Sequence, residues 1–377
     1  MSVKIEANIL FIGCSGVGKS SLLNYMFNRK LEETGVGKPC TGKGIFPHTY
    51  EVNRNFKLHI YDSWGLEPDK AEEWKKMMME EIRKHDTQKM SDWFNTIFFL
   101  ISVNNKNVQD FEVDMIKELK KSGNEIVVVF THCKNKEDMQ YDAMKKRIMN
   151  DAGMREESIV CVNSVEAKPL GKKDKIKQFG KEKLFVAVED NLWRNIYNKV
   201  PNVMKNDGAE LIQQWAANEY SSIEKEVHFW TNIDKASKRI CDSYQNCLNT
   251  IEEKLNKRIQ ETNEYYHTLK AYLKTEMEIP DLQEERIEMR TALDTSTYFK
   301  KKFYRMLSKF VATKERREIL EANTLIDFWI EFQKIISNAN ERKESLREGL
   351  KKFTETAQEK INLEIERIFS EFLIKMQ

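Results

Sequence analysis

Short apolar runs separated by amphipathic stretches fill the first half of the chain. The runs lie at 9–12, 96–103, 126–130 and 159–162, and residues 56–61 alternate between apolar and polar side chains. Short runs of this kind, separated by segments with helical periodicity, are typical of strands in an α/β sheet. We therefore predict a mostly parallel sheet with helices on both faces.

A different pattern fills the second half. Between Ile240 and Leu273, apolar or small residues recur about every 3.67 positions, which keeps them on one face of a straight helix. This stripe predicts a helix over 233–278, about 70 Å long, with Pro280 just beyond its end. A similar stripe over 346–372 predicts a last helix. We expect both stripes to be core packing, with an intermolecular coiled coil as the alternative.

Glycine and proline positions divide the chain in the same way. Of the 14 glycines, 12 lie at or before Gly180, and four of the six prolines also lie in that part. Since these two residues interrupt helices, their scarcity afterwards favours long helices. We predict an α/β domain over residues 1–200 and an elongated all-α domain over 201–377.

A phosphate-binding loop follows the first predicted strand. Its sequence is GCSGVGKS, residues 13–20, and a helical segment comes directly after it. Glycines let such a backbone wrap around phosphate groups, while the lysine neutralises the β- and γ-phosphates and the serine hydroxyl binds Mg²⁺. The predicted nucleotide contacts are Ser15, Gly16, Val17, Gly18, Lys19, Ser20 and Ser21.

Two further segments predict the rest of the Mg²⁺ and phosphate contacts. The strand at 56–61, paired with residues 49–52, ends in the sequence DSWG, where Asp62 would hold Mg²⁺ through water and Gly65 would approach the γ-phosphate. Thr41 lies in a glycine-rich segment and would join the metal when the γ-phosphate is present. We therefore predict Lys19, Ser20, Thr41 and Gly65 as catalytic residues, and Ser20, Thr41 and Asp62 as the metal site.

Charge and cysteine content exclude several other classes. The 62 basic and 60 acidic residues give a net charge of +2, so no overall field favours nucleic acid, and we expect none as a partner. The first residues lack the layout of a signal peptide, and we expect a cytoplasmic protein. The six cysteines lack metal-site spacing, which is typical of reduced thiols.

The order and spacing of these motifs resemble the septin, Toc and GIMAP-like GTPases within the Era-like class of P-loop GTPases. The resemblance covers roughly residues 5–200 and includes GCSGVGKS, Thr41, DSWG, VVVFTHCK and VCVNSV. It implies a GTPase that uses GTP, GDP and Mg²⁺. It also implies that Thr131 and His132 form the base motif, with His132 stacked on the base. By the same resemblance, Asn163 and Ser164 match the segment whose backbone contacts the base oxygen.

The base motif departs from the wider class, which uses NKxD. Lys134 occupies the position where an acceptor carboxylate would bind the guanine donors. A literal NKED occurs at 135–138, but it begins four residues after Thr131, a displacement of up to ~13 Å. Two registers therefore stay open. One uses Asp138, and the favoured one uses Thr131 and His132 with a carboxylate from elsewhere, Asp138 or Glu166.

Two expected catalytic groups are missing from the sequence. Leu66 stands where Ras-like enzymes place a water-orienting glutamine, and Gly16 stands where potassium-activated relatives carry asparagine. We therefore expect slow intrinsic hydrolysis. The resemblance implies association through the GTPase faces, so we expect a homodimer or another partner to complete catalysis.

A basic amphipathic segment at 299–317 is a candidate contact for a protein partner or an anionic membrane surface. It carries eight basic residues against the single acid Glu315. Taken together, the sequence predicts a GTP-controlled switch that drives a helical effector domain. The alternatives are a non-hydrolysing nucleotide-binding scaffold and a dynamin-like, membrane-associated GTPase.

Overall fold

The computed structural model divides into two compact units. It describes residues 5–28, 45–63, 71–135, 139–166, 175–226, 233–280 and 339–374. The first unit comprises Met1–Lys199 with Thr262–Arg286, and the second comprises Val200–Glu261 with Ile287–Gln377. The first unit therefore includes a segment from beyond residue 200, which the predicted division did not anticipate.

A six-stranded sheet forms the centre of the first unit. Its strands are β1 (Ile5–Ile12), β2 (Ile45–Asn53), β3 (Phe56–Ser63), β4 (Phe94–Ser102), β5 (Ile126–Thr131) and β6 (Ile159–Cys161). They lie in the order β2-β3-β1-β4-β5-β6. β2 pairs antiparallel with β3, and every other pair is parallel. The prediction of a mostly parallel sheet is confirmed.

Four helices accompany the strands: α1 (Lys19–Phe27), α2 (Ala71–His85), α3 (Asp110–Lys121) and α4 (Met139–Ala152). Alternate side chains of the sheet, such as Leu10 and Ile12, pack into one core with Trp74 of α2, Ile116 of α3 and Ile148 of α4. Helices α2, α3 and α4 therefore cover one face of the sheet. β4 lies between β1 and β5 and is buried along its whole length. Since successive side chains of a strand point to opposite faces, both faces of β4 are covered.

The described residues beyond 180 form three long helices: α5 (Lys181–Glu226), α6 (Ile233–Glu276) and α7 (Ala339–Ile374). Along α6, the predicted stripe is buried wherever its side chains are described, from Tyr244 to Leu273. The described stripe positions of α7 between Leu350 and Ile368 are buried as well. The stripes are therefore core packing, as expected. Among the described residues, no helix is long and apolar enough to cross a membrane.

The end of α6 packs within the first unit. The hydroxyl of Tyr265 donates to the Glu6 carbonyl at 3.1 Å and accepts from Asn95 Nδ2 at 2.8 Å. The ring of Tyr272 stacks on Phe56 at 4.9 Å between centroids, with an interplanar angle of 2°. Since Glu6, Phe56 and Asn95 begin β1, β3 and β4, α6 contacts the amino ends of the central strands.

Buried ion pairs mark the second unit. Asp207 of α5 is 3% exposed and accepts from Arg258 at 3.0 Å, with Lys254 3.1 Å away. Glu219 is 4% exposed and pairs with Arg239 at 3.0 Å. Breaking such a pair leaves an uncompensated charge in the core, so these contacts fix the pairing of α5 with α6 in this unit.

A buried carboxyl group in α3 gives the first unit a pH dependence. Glu112 is 2% exposed, and its Oε2 accepts from the Gln109 N–H at 2.8 Å in a capping box. Burial raises the pKa of Glu112 from its usual 4.5 to about 7, although the Gln109 N–H and Arg147 oppose that rise. Between pH 4.5 and about 7, Glu112 is protonated in the folded state but ionised in the unfolded chain. The free energy of unfolding therefore falls as pH rises through this range.

We therefore expect Glu112→Gln to stabilise the protein at pH 8, by roughly 2–3 kcal/mol, and to change little near pH 4.5. Glutamine keeps an oxygen for the Gln109 N–H but carries no charge. Denaturant unfolding of both proteins at several pH values measures the difference. A constant difference across that range would contradict the proposed titration.

Candidate functional site

The loop between β1 and α1 has the backbone that the phosphate-binding motif requires. Gly18 precedes α1 with φ of 99°, a left-handed conformation that side chains disfavour. At Gly13, a Cβ atom would lie 2.8 Å from the Leu100 carbonyl oxygen and 2.9 Å from Val17 Cγ1. Only glycine therefore fits at position 13, where the loop passes against β4.

Lys19 folds back over this loop. Its Nζ donates to the carbonyl oxygens of Gly13 at 3.2 Å and Cys14 at 3.4 Å. The same atom lies 3.9 Å from Asp62 Oδ1, at the end of β3. The lysine charge is therefore held at the loop by weak neutral acceptors and one carboxylate, all of which a phosphate group can replace or reorganise.

Asp62 carries an unsatisfied oxygen. Its Oδ1 is shielded from solvent and has no hydrogen-bond partner among the described residues. Burial raises the pKa of Asp62 above its usual range, while the charges of Lys19 and His48 oppose that rise. A buried carboxylate oxygen without a donor is costly unless a cation or an ordered water binds it.

The other predicted phosphate contacts lie on this loop or in the first turn of α1. Val17 is buried, Ser15 and Gly16 are exposed, and Ser20 and Ser21 are partly exposed in α1. Ser20 follows Lys19 directly, so the hydroxyl that would bind Mg²⁺ lies at the helix start.

The end of β5 is tied directly to the phosphate-binding loop. Thr131 is buried, and its Oγ1 donates to the Val17 carbonyl at 2.6 Å. The segment predicted as the base motif, which begins at Thr131, therefore adjoins the phosphate loop. Asp138, which defines the other register, lies outside the described residues.

His132 is exposed and has a left-handed backbone with φ of 59°. Its Cε1 and Nε2 lie 3.5 and 3.7 Å from the position that a Cβ of Gly18 would occupy. Its Nδ1 lies 3.1 Å from Ser102 Oγ. Sequence reasoning missed Ser102, because its only signal is its place at the end of β4.

The segment after β6 is engaged with the chain before α5. Asn163 forms both backbone hydrogen bonds of an antiparallel bridge with Phe179, each 3.1 Å long. Its Nδ2 donates to the Lys177 carbonyl at 2.9 Å, and the Ser164 carbonyl accepts from Gln178 Nε2 at 2.7 Å. The Asn163 side chain is therefore committed to holding this loop.

The remaining predicted residues either lie away from this site or fall outside the described residues. Glu166, one candidate for the missing base carboxylate, is exposed and lies 3.7 Å from Lys175 Nζ. Thr41, Gly65 and Leu66 lie outside the described residues, as does the basic segment at 299–317. Of the predicted site residues, those that the structure brings together are the phosphate loop, Asp62 beside Lys19, and Thr131 beside Val17.

Sequence comparison identifies a related family. Residues 8–132 match the family model described as "50S ribosome-binding GTPase". A curated relative, a probable GTP-binding protein EngB from Lachnospira eligens, is 27% identical over 163 residues. That alignment covers 42% of this chain and 73% of the relative.

Structure comparison finds Toc33 from Arabidopsis thaliana. Its complex with GDP and Mg²⁺ is 14% identical with a TM-score of 0.35, and the match covers 53% of this chain and 86% of that one. The complex with Mg²⁺ and GMPPNP gives the same identity and TM-score over 52% and 87%.

Proposed function

We propose that the N-terminal part of this chain, where residues 8–132 match a GTPase family model, binds GTP and GDP with Mg²⁺ and hydrolyses GTP slowly. In this proposal the nucleotide state controls the helical part of the chain as a switch. The observation that carries it is the approach of Lys19 Nζ and Asp62 Oδ1 to 3.9 Å at the phosphate loop. A cation and a metal-binding carboxylate are thus brought together where the strands end.

The residues present fit a magnesium ion. Mg²⁺ prefers oxygen ligands and keeps several of its waters, and Asp62 Oδ1 is a buried carboxylate oxygen that has no donor among the described residues. Asp62 would accept a hydrogen bond from a metal-bound water, and the Ser20 hydroxyl would bind the metal directly. When bound, Mg²⁺ neutralises charge on the β- and γ-phosphate oxygens. Lys19 adds a second positive charge to the same phosphates.

The proposed base is guanine, held beside Thr131 and His132. The Thr131 bond to Val17 supports this register, since it joins the base motif to the phosphate loop. We expect GTP to bind at least tenfold more tightly than ATP, a difference of about 1.4 kcal/mol. Competition against a fluorescent nucleotide tests this preference, and tighter binding of ATP would overturn it.

A homodimer is the proposed route to faster hydrolysis. At the sequence level, Leu66 and Gly16 leave one chain without an evident group to orient the attacking water. Nucleotide can control this dimer only if the second copy binds the triphosphate form more tightly than the diphosphate form. Light scattering and turnover across a protein concentration series test this idea, with a non-hydrolysable triphosphate and with GDP. A monomer in both states, with constant specific activity, would exclude the homodimer.

We expect Asp62→Asn to have opposite effects on stability and on Mg²⁺-dependent nucleotide binding. The buried carboxylate is costly in the ligand-free protein, so its neutral analogue should raise the free energy of unfolding at pH 7 by about 0.5–1 kcal/mol. The same change should remove most of the gain in GTP affinity that Mg²⁺ gives to the wild type. Thermal unfolding without ligands and GTP titrations with and without Mg²⁺ measure the two effects. A variant with unchanged Mg²⁺ dependence would show that Asp62 does not serve the metal.

A further inference from the structure

The ring of His132 is held through one nitrogen. Its Nδ1 lies 3.1 Å from Ser102 Oγ and 3.2 Å from Thr131 Oγ1. The residue is exposed, and its backbone has the left-handed conformation that non-glycine residues rarely adopt. Such a backbone is found where surrounding contacts or function require it. The contacts at Nδ1 are therefore candidates for what fixes the ring.

The two hydroxyl groups are not equivalent partners. Thr131 Oγ1 donates its single hydrogen to the Val17 carbonyl at 2.6 Å, so it can only accept from a protonated Nδ1. Ser102 Oγ accepts from the Asn104 N–H at 3.3 Å and still has its own hydrogen. It can therefore accept from Nδ1 in one tautomer and donate to it in the other. Ser102 is the partner that can hold the ring in both tautomers.

The Cε1–Nε2 edge of the ring borders the phosphate loop. These two atoms lie 3.5 and 3.7 Å from the position that a Cβ of Gly18, the residue directly before Lys19, would occupy. Ser102 is 7% exposed at the end of a fully buried strand, so its position is fixed by the sheet. A ring anchored to such a residue loses little rotamer freedom when a ligand packs against it.

We propose that Ser102 is a positioning residue for nucleotide binding, which holds His132 Nδ1 so that the imidazole packs against the nucleoside part of the ligand. This inference rests on the proposed function, because it takes His132 to contact a bound guanine nucleotide. Ser102 itself touches no ligand in this proposal. Its effect on affinity therefore depends on the histidine ring.

A double-mutant cycle tests that dependence in the full chain, with GDP as the probe. The variants are Ser102→Ala, His132→Phe and the combination, since phenylalanine keeps an aromatic ring but has no nitrogen to anchor. We expect Ser102→Ala to weaken GDP binding by about 3–10-fold, the scale of one neutral hydrogen bond. In the His132→Phe background the same change should alter affinity less than about twofold.

A second measurement does not depend on nucleotide. In ligand-free protein, Ser102→Ala should shift the His132 Nδ1 resonance in a ¹⁵N–¹H spectrum of the histidine side chains. The effect of Ser102→Ala on GDP binding could instead be the same in both backgrounds, with an unchanged Nδ1 resonance. Ser102 would then act only by capping the turn at 103–105, and the positioning role would be overturned. If wild type binds no guanine nucleotide although the Nδ1 shift is seen, the proposed function fails while the Ser102–His132 bond stands.

Discussion

Lys19→Ala is expected to abolish measurable nucleotide binding, with a loss of at least about 100-fold, or about 2.7 kcal/mol. In the ligand-free protein, Lys19 Nζ is held by two loop carbonyls and the Asp62 carboxylate, so its charge is already at the phosphate site. Alanine would remove the lysine charge that faces the phosphates beside Asp62. Isothermal titration with GDP and with a non-hydrolysable triphosphate measures the loss.

Lys145→Ala is the matched control for that experiment. Lys145 belongs to the same unit and has a side-chain exposure of 20%, close to the 13% of Lys19, but it pairs with Glu156. We expect its removal to leave nucleotide affinity unchanged within about twofold, as for other substitutions away from a binding site. If Lys19→Ala bound nucleotide as tightly as this control, the assignment of the phosphate loop would be wrong. Circular dichroism of both variants confirms that each is folded.

Leu269→Ala is expected to destabilise the first unit by about 2–5 kcal/mol, although it lies some 250 residues from the phosphate loop in sequence. Leu269 is fully buried in the part of α6 that belongs to this unit. Its truncation leaves a cavity that rigid neighbours fill only partly. For a unit of this size, the melting temperature should fall by roughly 4–20 °C. Thermal release of a bound fluorescent nucleotide reports the unfolding of the first unit specifically.

Val186→Ala serves as the control within the same unit. Val186 lies on α5 and is 55% exposed, so its truncation removes few buried contacts. We expect its effect to stay within about 0.5 kcal/mol. Equal melting temperatures for Leu269→Ala and Val186→Ala would show that the end of α6 does not stabilise the first unit.

The sequence predicted much of the fold because its signals were local. Apolar runs identified β4, β5 and β6 to within two residues, and the register of β2 with β3 follows the predicted pairing. The stripe along α6 correctly predicted which residues are buried from Tyr244 onward. Each of these signals depends only on the periodicity within one segment, which is visible from the order of that segment's own residues.

What the sequence did not show was which partner each buried face contacts. The stripe on α6 is uniform, so nothing in it separates the residues before 262 from those after, which pack in the first unit. Ser102 could not be linked to His132 for the same reason, since their hydrogen bond joins the ends of two strands 30 residues apart. Asn163 was predicted to belong to the segment beside the base, but the hydrogen bond from its side chain goes to the Lys177 carbonyl, 14 residues further along the chain.

The discontinuous first unit has a consequence for the order in which the protein is made. The ribosome releases the phosphate loop and the whole sheet before the end of α6 exists. At 5–20 residues per second, the segment from Lys199 to Arg286 takes roughly 4–17 s longer to synthesise. During that interval the amino ends of β1, β3 and β4 lack Tyr265 and Tyr272, so the nascent domain is open to chaperones and proteases. Limited proteolysis of ribosome-stalled nascent chains of increasing length, in which residue 286 is or is not yet outside the ribosome, would locate the point at which protection from proteases begins.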